Sequence, residues 1–389
     1  MMNPRELMRQ IEELKGDTLN LPLPRRMALP AIQGYRSLLL AEVASMIDFC
    51  CKQDFTLAHF LAESREHPAL DAMRRQYRFT DSSFRTMFMV SRHQFNNGPI
   101  YTVSEGLAEL LADTKVRENI PIRYFAPPMR NCYIEFSPAE KRHLSPFKVE
   151  AAGLKAILEG CYLQETQYDL LPPMAAEARE LLELDPHAKT RVLEVGFTAS
   201  PVGLDARSST VLLDTIDTFS IYIQDEDEPF GEVLRRHQQL NEHWQVIANT
   251  GFETLFQTLE FNAQQLSKIL FYLSVEREER RVINEASDLE KRLKGVADKK
   301  KPKIEKMLTR TYDRIVVGPK TYTPIRERIA SHNLPPGTKA PHYRAGYFGI
   351  RWIGTGQAKH TELRRVKETI INEELLKGDK PGARDYEIR

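Results

Sequence analysis

Segments of strand composition in the middle of the chain limit its possible folds more than any other feature. Residues 131–136 (Asn-Cys-Tyr-Ile-Glu-Phe) are rich in residues that favour strands, and the turn formers Ser137 and Pro138 follow them. Similar strand-like segments lie at 190–198, 209–213 and 218–224. The acidic, proline-containing stretch 225–229 predicts a turn. The centre of the chain is therefore expected to form a sheet.

Helical patterns lie on both sides of this central part. Asn3 is placed as an N-cap, Pro4 at the first helical position and Gly16 as the stop of an opening helix. Apolar periodicity predicts further helices over residues 35–51, 55–63, 103–111 and 231–293. Residues 149–163 fit either an amphipathic helix or a strand pair. Residues 79–93 show neither the apolar period of a helix nor that of a strand.

Together these patterns predict an α/β (α+β) fold with a helical N-terminal part, a central mixed sheet with helices and a C-terminal β-hairpin. The 389 residues, of which 41% are hydrophobic, are enough to bury a sizeable core. We expect a mainly helical region over residues 1–125, a central α+β region over 126–298 and a basic region over 299–389. The last region holds two strands, 347–353 and 363–371, followed by a frayed tail.

The charge is distributed unevenly although the formal net charge is only +1. From Lys291 to the end there are 24 Lys and Arg against 11 Asp and Glu, whereas the preceding 290 residues hold 31 basic and 43 acidic residues. Such asymmetry indicates either that the basic part faces an anionic partner or that it folds against the acidic body. The run from Lys299 to Lys303 is expected to be a solvated connection between charged helices, with phosphate contact as the alternative.

Several classes of function receive no support from the sequence. No run of about 18 apolar residues suggests a membrane span, and the N-terminus lacks the apolar region of a signal peptide; a cytoplasmic location without membrane contact is expected. The four cysteines have no C-x-x-C spacing, which predicts buried thiols. The ten histidines are scattered and no nucleophile motif is present. We expect no catalytic residue, metal or cofactor, while an intrinsic nuclease activity stays open.

Cationic and planar side chains are concentrated near the C-terminus. They suit a phosphate, a base or a peptide, because arginines and aromatic rings give a large contact area at low entropic cost. Alternatively, Tyr347 and Trp352 pack inward while Arg344 and Arg351 extend past them to solvent. The candidate binding residues are His342, Arg344, Tyr347, Arg351, Trp352, Gly354, Gly356, Lys359, Arg364 and Arg365.

A glycine-rich loop joins the two predicted C-terminal strands. In Gly354-Thr-Gly356-Gln-Ala-Lys359 small residues would let backbone amides approach an anion. The loop is not a Walker motif, because the lysine does not follow the second glycine directly and no Ser or Thr follows it. We favour a structural turn, in which glycine is used where the backbone needs a positive φ.

The segments Pro341–Gly346 (Pro-His-Tyr-Arg-Ala-Gly) and Trp352–Lys359 (Trp-Ile-Gly-Thr-Gly-Gln-Ala-Lys) resemble the C-terminal signature of a protein family. These are phage and plasmid accessory proteins, namely the type V-A anti-CRISPR proteins that block production of the CRISPR effector nuclease. Arg365 and Asn372 close the match, whereas Tyr347 and Phe348 stand where the family pattern has His-Trp. The resemblance therefore does not extend to this histidine.

The resemblance implies a protein that recognises the nascent N-terminal peptide of the nuclease during translation and causes loss of its mRNA. The ribosome or RNA are further partners compatible with the basic segment. A different reading is an RNA- or DNA-binding regulatory protein of a phage or plasmid that uses the basic C-terminal segment.

Overall fold

Alternating strands and helices build two layers of helices around one large sheet. The computed structural model of the protein describes residues 20–29, 33, 41–57, 59–60, 68, 71, 81–138, 148–151, 154–199, 215–248, 253–276, 279–323, 342–355 and 359–371. The predicted opening helix at Asn3 and the predicted strand at 209–213 lie outside these residues. The α/β fold class is confirmed.

Most predicted helices in the described residues lie in the expected parts of the chain, but their bounds differ from those in the structure. Residues 79–93, which fitted neither period, lie largely in a helix, and the segment 231–293 contains a strand among its helices. In chain order the helices are α1 (Leu23–Arg26), α2 (Ala41–Lys52), α3 (Asp81–Phe95), α4 (Glu105–Ala112), α5 (Ala176–Leu181), α6 (Phe230–Ala248), α7 (Glu253–Val275), α8 (Glu285–Gly295) and α9 (Lys301–Leu308).

The strands include the predicted central ones and several that are too short to recognise from sequence. Residues 149–163 resolve into a strand pair. The strands are β1 (Ile100–Val103), β2 (Lys115–Val116), β3 (Asn131–Glu135), β4 (Lys148–Ala151), β5 (Leu154–Tyr168), β6 (Thr190–Ala199), β7 (Thr215–Ile223), β8 (Arg280–Ile283), β9 (Arg314–Val317), β10 (His342–Arg344), β11 (Tyr347–Ile353), β12 (His360–Val366) and β13 (Thr369–Ile371).

The main sheet of the described residues is mixed. Its strand order is β7-β6-β5-β3-β1-β9-β8, and β4 pairs with the first part of β5. β1 runs parallel to both β3 and β9, whereas the remaining pairs are antiparallel. Two smaller sheets follow, β12-β11-β2 and β10-β13. The predicted second C-terminal strand, 363–371, is thus two strands, because the chain leaves β12 after Val366 and pairs again through β13.

Side chains alternate between two cores on the faces of the main sheet. On β5, Cys161 and Leu163 enter a core shared with α7 and the small C-terminal sheet, while Tyr162 enters a second core with Phe60 and Phe88 under the N-terminal helices. Consistent with the prediction, all four cysteines are buried free thiols. Burial raises the pKa of the Cys132 thiol to about 12, which makes it unreactive at neutral pH.

Buried ion pairs join the N-terminal helices to the sheet. Arg26 of α1 makes a paired contact with Glu159 of β5 at 2.7 Å for both nitrogen–oxygen distances. Arg92 of α3 lies 3.4 Å from Glu194 of β6 and also donates to Thr166 at 2.7 Å. Burial raises the pKa of Glu194 to about 7, with Arg92 opposing that shift. Charges taken out of water need such partners, so these pairs fix where the helices dock.

Candidate functional site

The candidate site is built on the β11–β12 hairpin. The strands are antiparallel, with Tyr347 opposite Val366 and Ile353 opposite His360. The turn between them includes Gly354, whose φ of 86° confirms that glycine serves a turn there, while Gly356 lies outside the described residues. β2 runs parallel to β11 on its other side, with Lys115 opposite Tyr347.

One side of this small sheet faces the body of the protein. Phe348 and Leu363 are buried in the main core, and the Phe348 ring lies 6.0 Å from that of Phe271 on α7 in an edge-to-face arrangement. Such aromatic contacts bury large apolar area. Phe348 therefore ties the hairpin to the body and fixes which side of β11 faces outward.

The opposite side carries several cations, a ring and one carboxylate, that of Glu362, which lies directly opposite Arg351. Period-two alternation places Tyr347, Gly349 and Arg351 on this side, and Arg364 lies directly opposite Gly349 on β12. The Arg117 guanidinium carbon lies 4.2 Å from the centre of the Tyr347 ring. We call Arg117, Tyr347, Arg351 and Arg364 the cationic face.

Gly349 leaves the space in which Arg117 packs on the Tyr347 ring. A Cβ at this position would lie 3.2 Å from Arg117 Cδ and 3.2 Å from the Tyr347 ring, which is tighter than ordinary van der Waals contact. A side chain there would therefore displace Arg117 from the ring. Arg117 follows β2 and is far from the hairpin in the chain; nothing in its local sequence indicates the role, because β2 is only two residues long.

The arginines of this face are exposed to solvent. Arg351 and Arg364 are exposed, and neither forms an ion pair with any residue the structure describes. Trp352 is 64% exposed, on the side of β11 opposite Arg351, and Lys359 is exposed beside the turn. Arg344 is exposed on β10; the side chain of His342 lies outside the described part. The inward packing of Trp352 that the sequence allowed is thus not what the structure has.

Arg365 does not join the exposed cations. Its side chain is 7% exposed and lies 3.9 Å from Glu276 and 3.8 Å from a Glu368 oxygen. Tyr322 donates a hydrogen bond of 2.6 Å to Glu368 in the same group. Arg365 points inward because it lies on the same side of β12 as buried Leu363. Its contacts belong to the attachment of the hairpin rather than to its outer surface.

A cleft of about 620 Å³ borders the free edge of β2. It lies between α4, α6 and α7, and its walls include Val116, Glu118 and Lys268. The Lys268 ammonium donates to the Leu111 carbonyl at 3.1 Å, at the C-terminal end of α4. Burial lowers the pKa of Lys268, with Asp113 opposing that shift. The cleft therefore combines an edge strand with polar and charged walls.

The side chains that could ligate a metal are dispersed in the described parts of the chain. There, no three His, Cys, Asp or Glu side chains are grouped so that they could hold an ion. His237 is held on both nitrogens: Nδ1 lies 2.8 Å from the Val233 carbonyl, and Nε2 accepts from the Tyr222 amide at 3.1 Å. Within the same residues, no helix combines the length and apolar content that a membrane span requires.

Comparison with known proteins identifies the family. The profile of the AcrVA2-like family, described as the anti-CRISPR type V subtype A2 family, matches residues 101–373. The crystal structure of AcrVA2 is similar over 86% of this chain and 96% of that chain, at 13% sequence identity and a TM-score of 0.45. None of the curated proteins matches. Because the family profile covers most of its length, the chain belongs to the AcrVA2-like family of type V anti-CRISPR proteins.

Proposed function

We propose that this protein recognises the nascent N-terminal peptide of a type V-A CRISPR nuclease during translation and thereby causes loss of the nuclease mRNA. Membership of the anti-CRISPR family supports a CRISPR-related target. The observation that carries the proposal is that Arg351 and Arg364 on the cationic face, and Trp352 on the other side of β11, are all exposed, and that the two arginines form no ion pair within the described residues. Trp, Tyr and Arg dominate binding energy in protein interfaces, because they combine large contact area with directed hydrogen bonds.

Different side chains of the hairpin would make different kinds of contact with the peptide. Arg351 and Arg364 would bind carboxylates or backbone carbonyls of the peptide, while the Trp352 ring would cover an apolar side chain. Arg344, Lys359 and the turn at Gly354 would extend the contact at the ends of the hairpin. The cleft beside β2 suits an extended chain, because an edge strand can pair with it and the walls can hold alternate side chains. The ribosome would be a further partner.

The proposal is tested by recoding the start of the nuclease gene. The nuclease is co-expressed with this protein, and its mRNA is measured by quantitative PCR. Synonymous changes to the first codons should leave the loss of mRNA intact, because the peptide is unchanged. Changes to the encoded amino acids should abolish it. An equal loss of mRNA after amino-acid recoding would contradict peptide recognition.

Variants of the hairpin test the site. Arg351→Glu with Arg364→Glu, and separately Trp352→Ala, should restore nuclease mRNA in the same co-expression assay. The matched controls are Arg130→Glu with Lys189→Glu, and Met129→Ala; Trp352 and Met129 are 64% and 53% exposed, and the two control cations are also exposed. If the controls restore mRNA as fully as the hairpin variants do, the site is misplaced even if peptide recognition holds.

A further inference from the structure

A second basic surface lies on the connection between β8 and β9. It consists of α8, the 3-10 turn Asp298–Lys300 and α9, and we call it the basic hairpin. From Glu285 to Arg310 the sequence has nine Lys and Arg against five Asp and Glu, and it contains no aromatic residue. β8 and β9 pair with each other at the end of the main sheet, so the basic hairpin is built on its border.

The basic hairpin is held firmly by its base. Ala286, Leu289 and Ile304 are buried on its inner side. Asp313 accepts hydrogen bonds from the amides of Ala286 and Ser287 at 2.9 and 3.1 Å, so it fixes the start of α8. Partial burial opposes ionisation of Asp313, but the hydrogen bonds from Ser287 and Ala286 outweigh it and lower its pKa. A fixed base means that the cations are presented in a set arrangement rather than on a loose chain.

The exposed surface of the basic hairpin carries cations that form no ion pair in the described part of the chain. Lys291 and Lys301 lie near Asp288 and Asp298. The remaining exposed cations of α8, the turn and α9 form no ion pair within the described residues; they are Arg292, Lys294, Lys299, Lys300, Lys303 and Lys306. Elsewhere Arg26, Arg92, Arg191 and Arg236 are all paired with carboxylates.

We infer that the basic hairpin binds the phosphodiester backbone of a nucleic acid. Five of the six unpaired cations are lysines, which bind phosphates as point charges rather than as planar forks. Base stacking needs an aromatic ring or a guanidinium plane, and the segment has no ring and only one arginine among those six. The binding should therefore be independent of sequence. This surface is separate from the peptide site proposed above and does not depend on it.

The test measures binding of labelled oligonucleotides to the full chain by fluorescence anisotropy. The variant carries Lys299→Glu, Lys300→Glu, Lys303→Glu and Lys306→Glu. The control carries the same change of net charge at other exposed cations, namely Lys52→Glu, Arg130→Glu, Lys189→Glu and Lys320→Glu. We expect the variant to lose about tenfold or more in affinity and to show a shallower dependence on salt, because up to four phosphate contacts are removed. The control should keep most of the affinity for the oligonucleotide and most of its dependence on salt.

Further arms separate the kinds of partner. RNA and DNA, single-stranded and duplex, should all bind, and mixed sequences should bind alike; preference for one of them would identify the natural source. Glutamine at the same four lysines provides a milder variant if charge reversal impairs folding, which circular dichroism would detect. The inference is overturned if the native protein binds none of these nucleic acids, if both charge-reversed proteins weaken equally, or if polyglutamate displaces the oligonucleotide as well as unlabelled RNA does.

Discussion

His237 shows how burial sets the chemistry of a single residue. Its ring is enclosed between α6 and β7, where burial lowers its pKa to about 4 despite the opposing contact with the Val233 carbonyl. The two nitrogens are used as one donor and one acceptor, an arrangement that only the neutral ring can satisfy. The histidine therefore stabilises the fold as a neutral group and has no free nitrogen for catalysis in this arrangement.

Replacing His237 should weaken the sensitivity of the fold to acid. In the unfolded chain a histidine takes up a proton below pH 6.5, whereas folded His237 does so only near pH 4. The native protein should thus lose up to about 1.4 kcal/mol per pH unit from this residue as pH falls through that window. The free energy of unfolding of His237→Asn, measured in urea, should fall less steeply between those pH values than that of the parent. Parallel curves would contradict a neutral His237.

At the scale of elements, Glu194 links β6 to helix α3. Its pKa is raised by burial from 4.5 to about 7, so the folded state holds a proton that the unfolded state releases. This contribution to stability is complete below pH 4.5 and is lost as pH rises towards 7. Glu194→Gln should be less stable above pH 7, where Arg92 loses a charged partner, but its unfolding free energy should decline less as pH rises from 4.5 to 7. A slope equal to that of the parent would show that Glu194 is ionised throughout.

The C-terminal hairpin offers a contrast between two of its own aromatic residues. Phe348 is fully buried against α7, whereas Trp352 is 64% exposed. Phe348→Ala should lower the free energy of unfolding by about 3–5 kcal/mol, because it leaves a cavity in the core. Trp352→Ala should change it by well under 1 kcal/mol, as surface substitutions usually do. Urea unfolding monitored by circular dichroism measures both. Similar losses for the two variants would mean that Trp352 packs in the core.

The sequence predicted those elements whose signal is local. Residues 131–136 and 190–198 were recognised as strands by composition, and the β11 strand matched its predicted bounds. β8 and β9 were missed because four residues carry little periodicity and their place is set by pairing in the sheet. Asp81–Phe95 was not assigned as a helix because Arg92 and His93 interrupt its apolar face, yet both are buried.

Only part of the candidate site could be predicted from the sequence. The exposed Arg351, Trp352 and Arg364 belonged to the cluster that the sequence singled out. Arg365 could not be separated from Arg364, because only the pleat of β12 decides which of two adjacent arginines faces inward. Arg117 was missed because a parallel pairing between distant segments brings it onto Tyr347.

At the scale of the whole molecule, the structure shows which of the unevenly distributed charges are paired with one another. The acidic body uses many of its carboxylates on buried or half-buried arginines, such as Glu159 on Arg26 and Glu226 on Arg191. Six cations of the basic hairpin, and Arg351 and Arg364 of the cationic face, form no ion pair in the part of the chain that the structure describes. Pairing with the carboxylates of the body therefore accounts for only part of the cations in the described C-terminal segments.

The most direct measurement of the central claim is a pull-down of this protein from cells that are translating the nuclease. Co-purified nuclease mRNA is quantified relative to total mRNA, with and without puromycin, which releases nascent chains from ribosomes. If the protein recognises the nascent peptide, the nuclease mRNA should be enriched before release and fall to the level of other transcripts after it. Enrichment that survives puromycin would contradict the account, because the transcript would then be bound without the peptide.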